Sequence, residues 1–293
     1  MIKFMAFGDL HYDDVPDGDR RIAELLAHAE ETKPDFIISL GDLCYPAEKN
    51  KAVLEKLCSA GIPLYHTIGN HDTENCHLKN TLKFLSMKKP YYSFEYDDVK
   101  FIVLNSCYLS RNGEEIPYLG RNYKEDSAIY PVVPSHETEW LKNELNDGKR
   151  HIIFSHHSLV NSHRDRGISN RSAVRDMLRD KNVLLCMNGH DHGDDIKVID
   201  NITYYTVNSA SYMWCGFQIM ASEKLMKKYG YLNGFLFYKQ AFCVNVEIDN
   251  SEIRISGMNG EYMSVTPDDV ELYDYKWNGV SVKPQTSSYV IKL

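Results

Sequence analysis

Ile2-Lys3-Phe4-Met5-Ala6-Phe7-Gly8-Asp9-Leu10-His11 opens the chain with a short apolar run that stops at a glycine, an aspartate and a histidine. The run is too short for a helix and reads as a strand ending in polar chemistry. The pattern recurs four times. Gly41-Asp42 follows Phe36–Leu40, and Gly69-Asn70-His71-Asp72 follows Leu64–Ile68. Ser155-His156-His157 follows His151–Phe154, and Gly189-His190-Asp191-His192 follows Val183–Met187. Seven potential metal ligands thus fall in five clusters, each beginning where an apolar run stops.

Helical spacing fills the intervals. Ile22, Leu25, Leu26 and Ala29 give residues 19–31 one apolar face, ended by Lys33-Pro34. Pro46 suits a helix start, Val53, Leu54 and Leu57 supply its face, and Gly61-Ile62-Pro63 breaks it. A helical stretch is expected near 76–86, then a hairpin of Tyr91–Tyr96 and Lys100–Asn105 turning at Asp97-Asp98. Residues 106–134 are mixed in polarity with three prolines and read as a long loop. Ser135 is a candidate cap for a helix carrying Trp140, Leu141 and Leu145, and residues 170–180 form another helix. From about residue 200 the texture turns β-rich, with strands at Thr203–Val207, Gly234–Phe237, Ala241–Ile248 and Ile253–Ser256 and a short helix within 212–230. Alternating β and α units imply a largely parallel sheet with helices on its faces, and ligands of such sheets bind beyond the strands' carboxyl ends. All five clusters lie at such ends, so residues distant in sequence are expected to meet on one rim.

The 293 residues are enough for a sizeable core and allow one or two domains. Absence of a repeat, low-complexity tract or linker favours one domain over 1–293, its β-rich part from about 200 completing the second sheet. No segment approaches the roughly 18 consecutive apolar residues of a membrane span. A cleavable leader at the start would remove Asp9 and His11. Seven scattered cysteines without a Cys-x-x-Cys pair suit a reducing compartment. A cytoplasmic protein is the expectation. The net charge of −8 without a Lys/Arg run disfavours an extended nucleic-acid track.

Taken singly, Asp-x-His and Gly-Asp are weak signals. The neutral amide of Asn70 is an unusual ligand, useful where another carboxylate would over-neutralise a site, and Gly189-His190-Asp191-His192 is the most specific cluster. Together, in this order, the motifs resemble the calcineurin-like metallophosphoesterase superfamily over roughly residues 1–210. The likeness extends to bacterial class III cyclic-nucleotide phosphodiesterases and, more distantly, to purple acid phosphatases. It implies an α/β fold, a two-sheet β-sandwich flanked by helices. It also implies two divalent or mixed-valence metal ions, from Mn, Fe, Zn or Ni. One metal would be held by Asp9, His11, Asp42 and His192, the other by Asp42, Asn70, His156 and His190, with Asp42 bridging. His71 would stand unligated beside the substrate phosphate as a catalytic group, with Asp72 as a candidate to orient it. Two divalent ions, two carboxylates and a bridging hydroxide leave the core at about +1, attractive to a phosphate anion.

The activity so implied is hydrolysis of a small phosphodiester or nucleotide by in-line attack of that hydroxide. Alternatives are a phosphomonoesterase of the acid-phosphatase type and a catalytically silent binding module of the same fold. Of the adjacent pair His156 and His157, family position favours His156 as ligand with His157 behind it. Gly41-Asp42-Leu43-Cys44-Tyr45 resembles the Gly-Asp-x-x-Tyr segment of purple acid phosphatases, whose tyrosine binds ferric iron. Those enzymes have Asp-x-Gly at the first motif. His11 is therefore expected to take that coordination place, Tyr45 to pack nearby, and Cys44 to be buried. Arg164 and Arg166 are candidates for the substrate phosphate, and Asn105 for the rim. Tyr212 and Trp214 are candidates for stacking on a base or for packing. The expected partner is a small phosphate ester, with no extended nucleic acid and no membrane.

Overall fold

The computed structural model of the protein describes residues 1–124 and 131–293. In chain order the strands of its two large sheets begin with β1 (Ile2–Phe7), β2 (Phe36–Ser39) and β3 (Leu64–His66). There follow β4 (Tyr92–Tyr96), β5 (Val99–Val103), β6 (Arg150–Ser155) and β7 (Val183–Asn188). The series ends with β8 (Asp195–Ile199), β9 (Ile202–Thr206), β10 (Val244–Ile248), β11 (Glu252–Ser256) and β12 (Tyr289–Lys292). One sheet has the order β12-β11-β10-β1-β2-β3, the other β8-β9-β7-β6-β5-β4. Within each, the strands bearing the motifs are parallel: β1 to β2 to β3, and β5 to β6 to β7.

The single largely parallel sheet expected from alternation is thus divided into two, as the family likeness implied. The physical reason lies in the side chains. Phe4, Phe36, Phe101 and Phe154 interlock between the sheets, Phe4 stacking on Phe36 at 5.0 Å and meeting Phe154 edge-on at 5.6 Å. Burial of each ring contributes on the order of 2 kcal/mol. The alternate residues Met5, Phe7 and Ile37 face outward, against Ile22, Leu25 and Ala29 of α1 (Gly18–Thr32) and Val53 and Leu57 of α2 (Lys51–Cys58). Beyond α3 (Leu78–Phe84), Ile102, Ile153 and Cys186 on the second sheet meet α4 (Ser135–Glu144) and α5 (Arg171–Leu178). Strands covered on both faces read as unbroken apolar runs, which explains the sequence pattern.

The C-terminal part joins both sheets: β9 lies beside β7, whereas β10 pairs antiparallel with β1 and carries β11 and β12. The stretch read as a loop over 106–134 instead holds strands Tyr108–Arg111, Glu114–Pro117 and Pro131–Val132 in a small sheet. Residues 125–130 of it lie outside the described residues. Its short, polar strands carry no period that distinguishes them from a loop. Ser135 begins α4 but does not cap it, because its hydroxyl donates to Glu115 Oε1 at 2.6 Å. Among the described residues no helix is long and apolar enough to cross a membrane.

Candidate metal centre

The five clusters meet at one rim, where the carboxyl ends of β1, β2 and β3 face those of β6 and β7. Tight reversals aim their side chains: Asp9, His11, Asp42, His190 and His192 have φ of 54°, 47°, 54°, 66° and 49°. Left-handed backbone at non-glycine residues is costly, and such strain concentrates at functional sites. The strand ends are tied to one another. Asp9 N–H donates to Gly41 O at 3.0 Å and His11 N–H to Asp42 O at 2.9 Å. Asp9 O accepts from Ser209 Oγ at 2.8 Å and Ser211 Oγ at 2.7 Å. The motif glycines give room: a Cβ on Gly69 would lie 2.1 Å from Asp42 Oδ1, and one on Gly41, at φ 98°, 2.5 Å from His156 Nδ1.

Two sets of donor atoms result. In the first, His11 Nε2 lies 3.2 Å from His192 Nε2, 3.9 Å from Asp9 Oδ1 and 3.7 Å from Asp42 Oδ2. In the second, His156 Nε2 lies 3.0 Å from Asn70 Oδ1, 3.2 Å from Asp42 Oδ2 and 3.2 Å from His190 Nδ1. Bonds of about 2.1 Å to a common cation place neighbouring ligand atoms about 3 Å apart, so both sets are metal-sized. Among the described residues, Asp9-His11-His192 and Asp9-Asp42-His156 each bring three ligand atoms within 4.8 Å of one another. Asp9 Oδ1 is fully buried without a hydrogen-bond partner, a carboxylate oxygen that a cation would satisfy. The residues fit a dinuclear centre.

The nitrogens turned away from the centre are also held. His156 Nδ1–H donates to Leu40 O and His192 Nδ1–H to Tyr212 O, each at 2.8 Å, leaving both Nε2 atoms facing inward. His11 Nδ1 lies 3.7 Å from Asp14 Oδ2. Burial acts to raise the Asp42 carboxyl, but His156 and His71 hold it well below the usual carboxylate range.

Asp72 does not orient His71. Its Oδ2 accepts from Gly69 N–H at 2.7 Å and Asp42 N–H at 3.1 Å, and burial with the charge of Asp42 pushes its carboxyl up to about 7. The turn directs this side chain back under the motif loops, where it fixes their amides. His71 Nδ1 instead lies 3.0 Å from Glu74 Oε1. Burial acts to raise the Glu74 carboxyl, but His71, Tyr123 and Arg121 bring it down to about 2. Glu74 and Asp14 escaped the sequence reading, yet each stands three residues after a site histidine, a spacing that brings side chains together in one turn.

The remaining candidates divide. Arg166 reaches the centre, with Nε donating to His190 Nε2 at 3.2 Å and its guanidinium 5.7 Å from the Trp214 ring centroid. Arg164 does not: its side chain is 80% exposed and pairs with Asp165. His157 lies behind His156, its Nδ1 sharing a 2.8 Å hydrogen bond with Ser106 Oγ, although its ring nitrogens also come within ligand range of His156 and His190. Asn105 is buried, its N–H donating to Glu137 Oε1 at 2.7 Å and its Oδ1 accepting from Cys107 N–H, so it supports the rim. Tyr45 lines a small cavity with His11, Asp13, Asp14, Asp42, Cys44 and His71. Burial and the charges of Asp14 and Glu74 push its phenol up to about 12. Cys44 is buried. Tyr212 packs, stacked on Phe235 at 4.4 Å and tilted against His192 at 4.7 Å, which removes it as a base platform.

The paired sheets thus bring to one rim His and Asp groups that could hold metal ions. The chain belongs to the calcineurin-like phosphoesterase family, whose model matches residues 2–194. Among solved structures it is similar to a dimetal phosphatase from Danio rerio, at 14% identity and TM-score 0.64, covering 99% of this chain and 98% of that one. It is also similar to GAP50, the anchor in the inner membrane complex of Plasmodium, at 16% identity and TM-score 0.59 over 87% of this chain and 83% of that one. Purple acid phosphatase PPD1 from yellow lupin seeds aligns at 12% identity and TM-score 0.55, covering 99% of this chain and 53% of that one. No curated protein matches the chain in sequence. Family membership and the likeness to these phosphatases support a hydrolase with a dinuclear metal site.

Proposed function

We propose that the protein hydrolyses a small phosphodiester or nucleotide at a dinuclear metal centre. The observation that carries this reading is the Asp42 carboxylate, whose Oδ2 lies 3.7 Å from His11 Nε2 and 3.2 Å from His156 Nε2, between the two donor sets. Asp9, His11, Asp42 and His192 would hold one ion; Asp42, Asn70, His156 and His190 would hold the other. Bound there, two cations supply an activated water and neutralise the phosphoryl oxygens during in-line displacement. Six nitrogen and oxygen ligands per ion, the four residues of each set joined by solvent or substrate oxygens, would favour manganese or iron over tetrahedral zinc, with nickel also accommodated.

The chain's own groups complete the chemistry. His71, its side chain 28% exposed at the mouth, donates a proton to the leaving oxygen. Arg166 orients a phosphate oxygen beside His190. Arg166 lies over the Trp214 ring, and Arg121 is paired with Glu74. With Arg121 neutralised by Glu74, Arg166 is left as the cation beside the centre, which suits a singly charged diester better than a dianionic monoester. The net charge of −8 favours a small substrate over a nucleic-acid polymer.

A second reading, a phosphomonoesterase of the acid-phosphatase type, draws on Tyr45 and on the likeness to the lupin enzyme. A silent binding module of the same fold is disfavoured by the complete set of candidate ligands. The test is metal analysis with hydrolysis of bis-p-nitrophenyl and p-nitrophenyl phosphate, Mn²⁺ added. The diester should turn over faster. Asp42→Asn and His190→Ala should lose metal and activity together, whereas His71→Ala should keep its metal and lose turnover chiefly on an alkyl ester, whose leaving oxygen needs a proton. A purple protein faster on the monoester would favour the second reading, and no turnover by metal-loaded protein would refute both enzyme readings.

A further inference from the structure

His71-Asp72-Thr73-Glu74 folds as a single 3-10 turn, closed by Glu74 N–H donating to His71 O at 3.3 Å. Side chains three apart eclipse in such a turn. Glu74 is therefore set directly against the His71 imidazole, whereas the adjacent Asp72 points under the loops. The Glu74 side chain is fully buried, and neither oxygen stands alone: Oε1 meets His71 Nδ1 and the Tyr123 hydroxyl, and Oε2 takes Arg121 Nη2 at 2.6 Å. Arg121 and Tyr123 come from a distant segment, the one following the small three-stranded sheet's hairpin. Tyr123 is itself stacked on Tyr118 at 4.9 Å. Pinned from three sides, the carboxylate has little freedom to follow a moving ring.

We propose that Glu74, braced by Arg121 and Tyr123, is the positioning residue of His71: it fixes Nδ1–H and so turns Nε2 toward the leaving oxygen of the substrate. This inference rests on the phosphoesterase reading above. The imidazole has two free torsions, and only a held Nδ1 decides which edge faces the phosphate. The His71 ring stands edge-on to His11 at 4.8 Å, beside the first donor set, where a leaving group would depart. In the step so served, a hydroxide oxygen bonds to phosphorus as the P–O bond to the leaving group breaks, the electron pair of the broken bond remaining on the leaving oxygen. That oxygen takes the Nε2 proton and leaves as an alcohol, and the ring is left neutral with Nδ1–H still on Glu74.

A positioning role through His71 makes a prediction that a structural role does not. In metal-loaded Glu74→Gln, kcat on an alkyl or unsubstituted phenyl ester, whose leaving oxygen needs a proton, should fall about 10- to 100-fold. On the p-nitrophenyl ester, whose leaving group departs unaided, it should fall less than about threefold, and KM should change little. His71→Ala should show the same dependence on the leaving group. The double variant His71→Ala/Glu74→Gln should be no slower than His71→Ala alone, because residues acting as a unit are non-additive. Tyr123→Phe, a milder change, should show the same signature in smaller degree. Metal content should match wild type throughout. In the zinc-loaded protein, the ¹⁵N spectrum of the imidazoles should show Nδ1–H of His71 in wild type and its loss or broadening in Glu74→Gln. Equal slowing of all esters, multiplicative effects in the double variant, or an unchanged imidazole spectrum would overturn the assignment while leaving the hydrolase intact. A wild-type protein inert to every ester removes the underlying reading instead.

Discussion

Among the described residues Arg21 is the largest fully buried side chain, a charged residue inside α1. Its Nε donates to Asp17 Oδ1 at 2.7 Å, Nη1 to Ala210 O at 3.0 Å and Gln240 O at 3.1 Å, and Nη2 to Tyr238 O. Ala210 belongs to the loop whose Ser209 and Ser211 grip Asp9 O and whose Tyr212 O holds His192. Replacing Arg21 with methionine keeps the volume but strands those backbone carbonyls in a buried place. Each costs roughly 1 to 1.5 kcal/mol, while Asp17 retains Arg20, so a loss of about 3 to 5 kcal/mol is expected. Against a usual stability of about 5 to 15 kcal/mol this is severe. Equilibrium urea unfolding of metal-loaded Arg21→Met should show the loss, accompanied by lower metal occupancy. Arg20→Met removes only a partly exposed pair with Asp17 and Glu24 and should cost less than about 1 kcal/mol. An Arg21→Met change as small as that of Arg20→Met would refute the claim that this guanidinium ties the helix to the site loop.

Arg166→Ala should raise KM for a diester about 10-fold or more, the loss of one charged hydrogen-bonding group, whereas Arg164→Ala should stay within about twofold. Steady-state kinetics at saturating metal separates them, and equal effects would place the phosphate elsewhere. His66 is buried, and burial lowers its imidazole to about 4 against an ordinary 6.5. Between those values the unfolded chain binds the extra proton. Its contribution is therefore complete above about pH 6.5 and declines as pH falls toward 4, by about 3 kcal/mol in full. Urea midpoints for wild type and His66→Gln should converge on acidification across that window, and parallel curves would contradict the sign.

The candidate ligand clusters were legible because each sits where an apolar run must end. A two-sided buried strand has no other place to put an ionisable side chain, and Asp9, Asp42, Asn70, His156 and His190 all obey that constraint. The supporting groups were less so. Asp72 adjoins His71 in sequence, but the turn type, which residue order alone does not reveal, hands the imidazole to Glu74. Arg164 and Arg166 carry the same chemistry two positions apart, and only the loop's path decides that one reaches His190 while the other stays in solvent. The return of β10 to pair with β1 brings together residues more than two hundred positions apart, and no local pattern encodes a pairing of that range.

The same strand ends explain why the site needs so much bracing. Five candidate ligands in left-handed backbone cost on the order of 1 kcal/mol each, a sum that no single contact offsets. The bonds from Asp9 N–H to Gly41 O, His11 N–H to Asp42 O, His190 N–H to Asp9 Oδ2, and Ser209 and Ser211 to Asp9 O are matched to it in number and in size. Each joins one motif loop to another loop, so the strained turns hold one another and the donor atoms stay converged. The rim is therefore a cooperative object. Arg21 and Asp72 belong to it as fully as any ligand, because losing either frees backbone that the turns require.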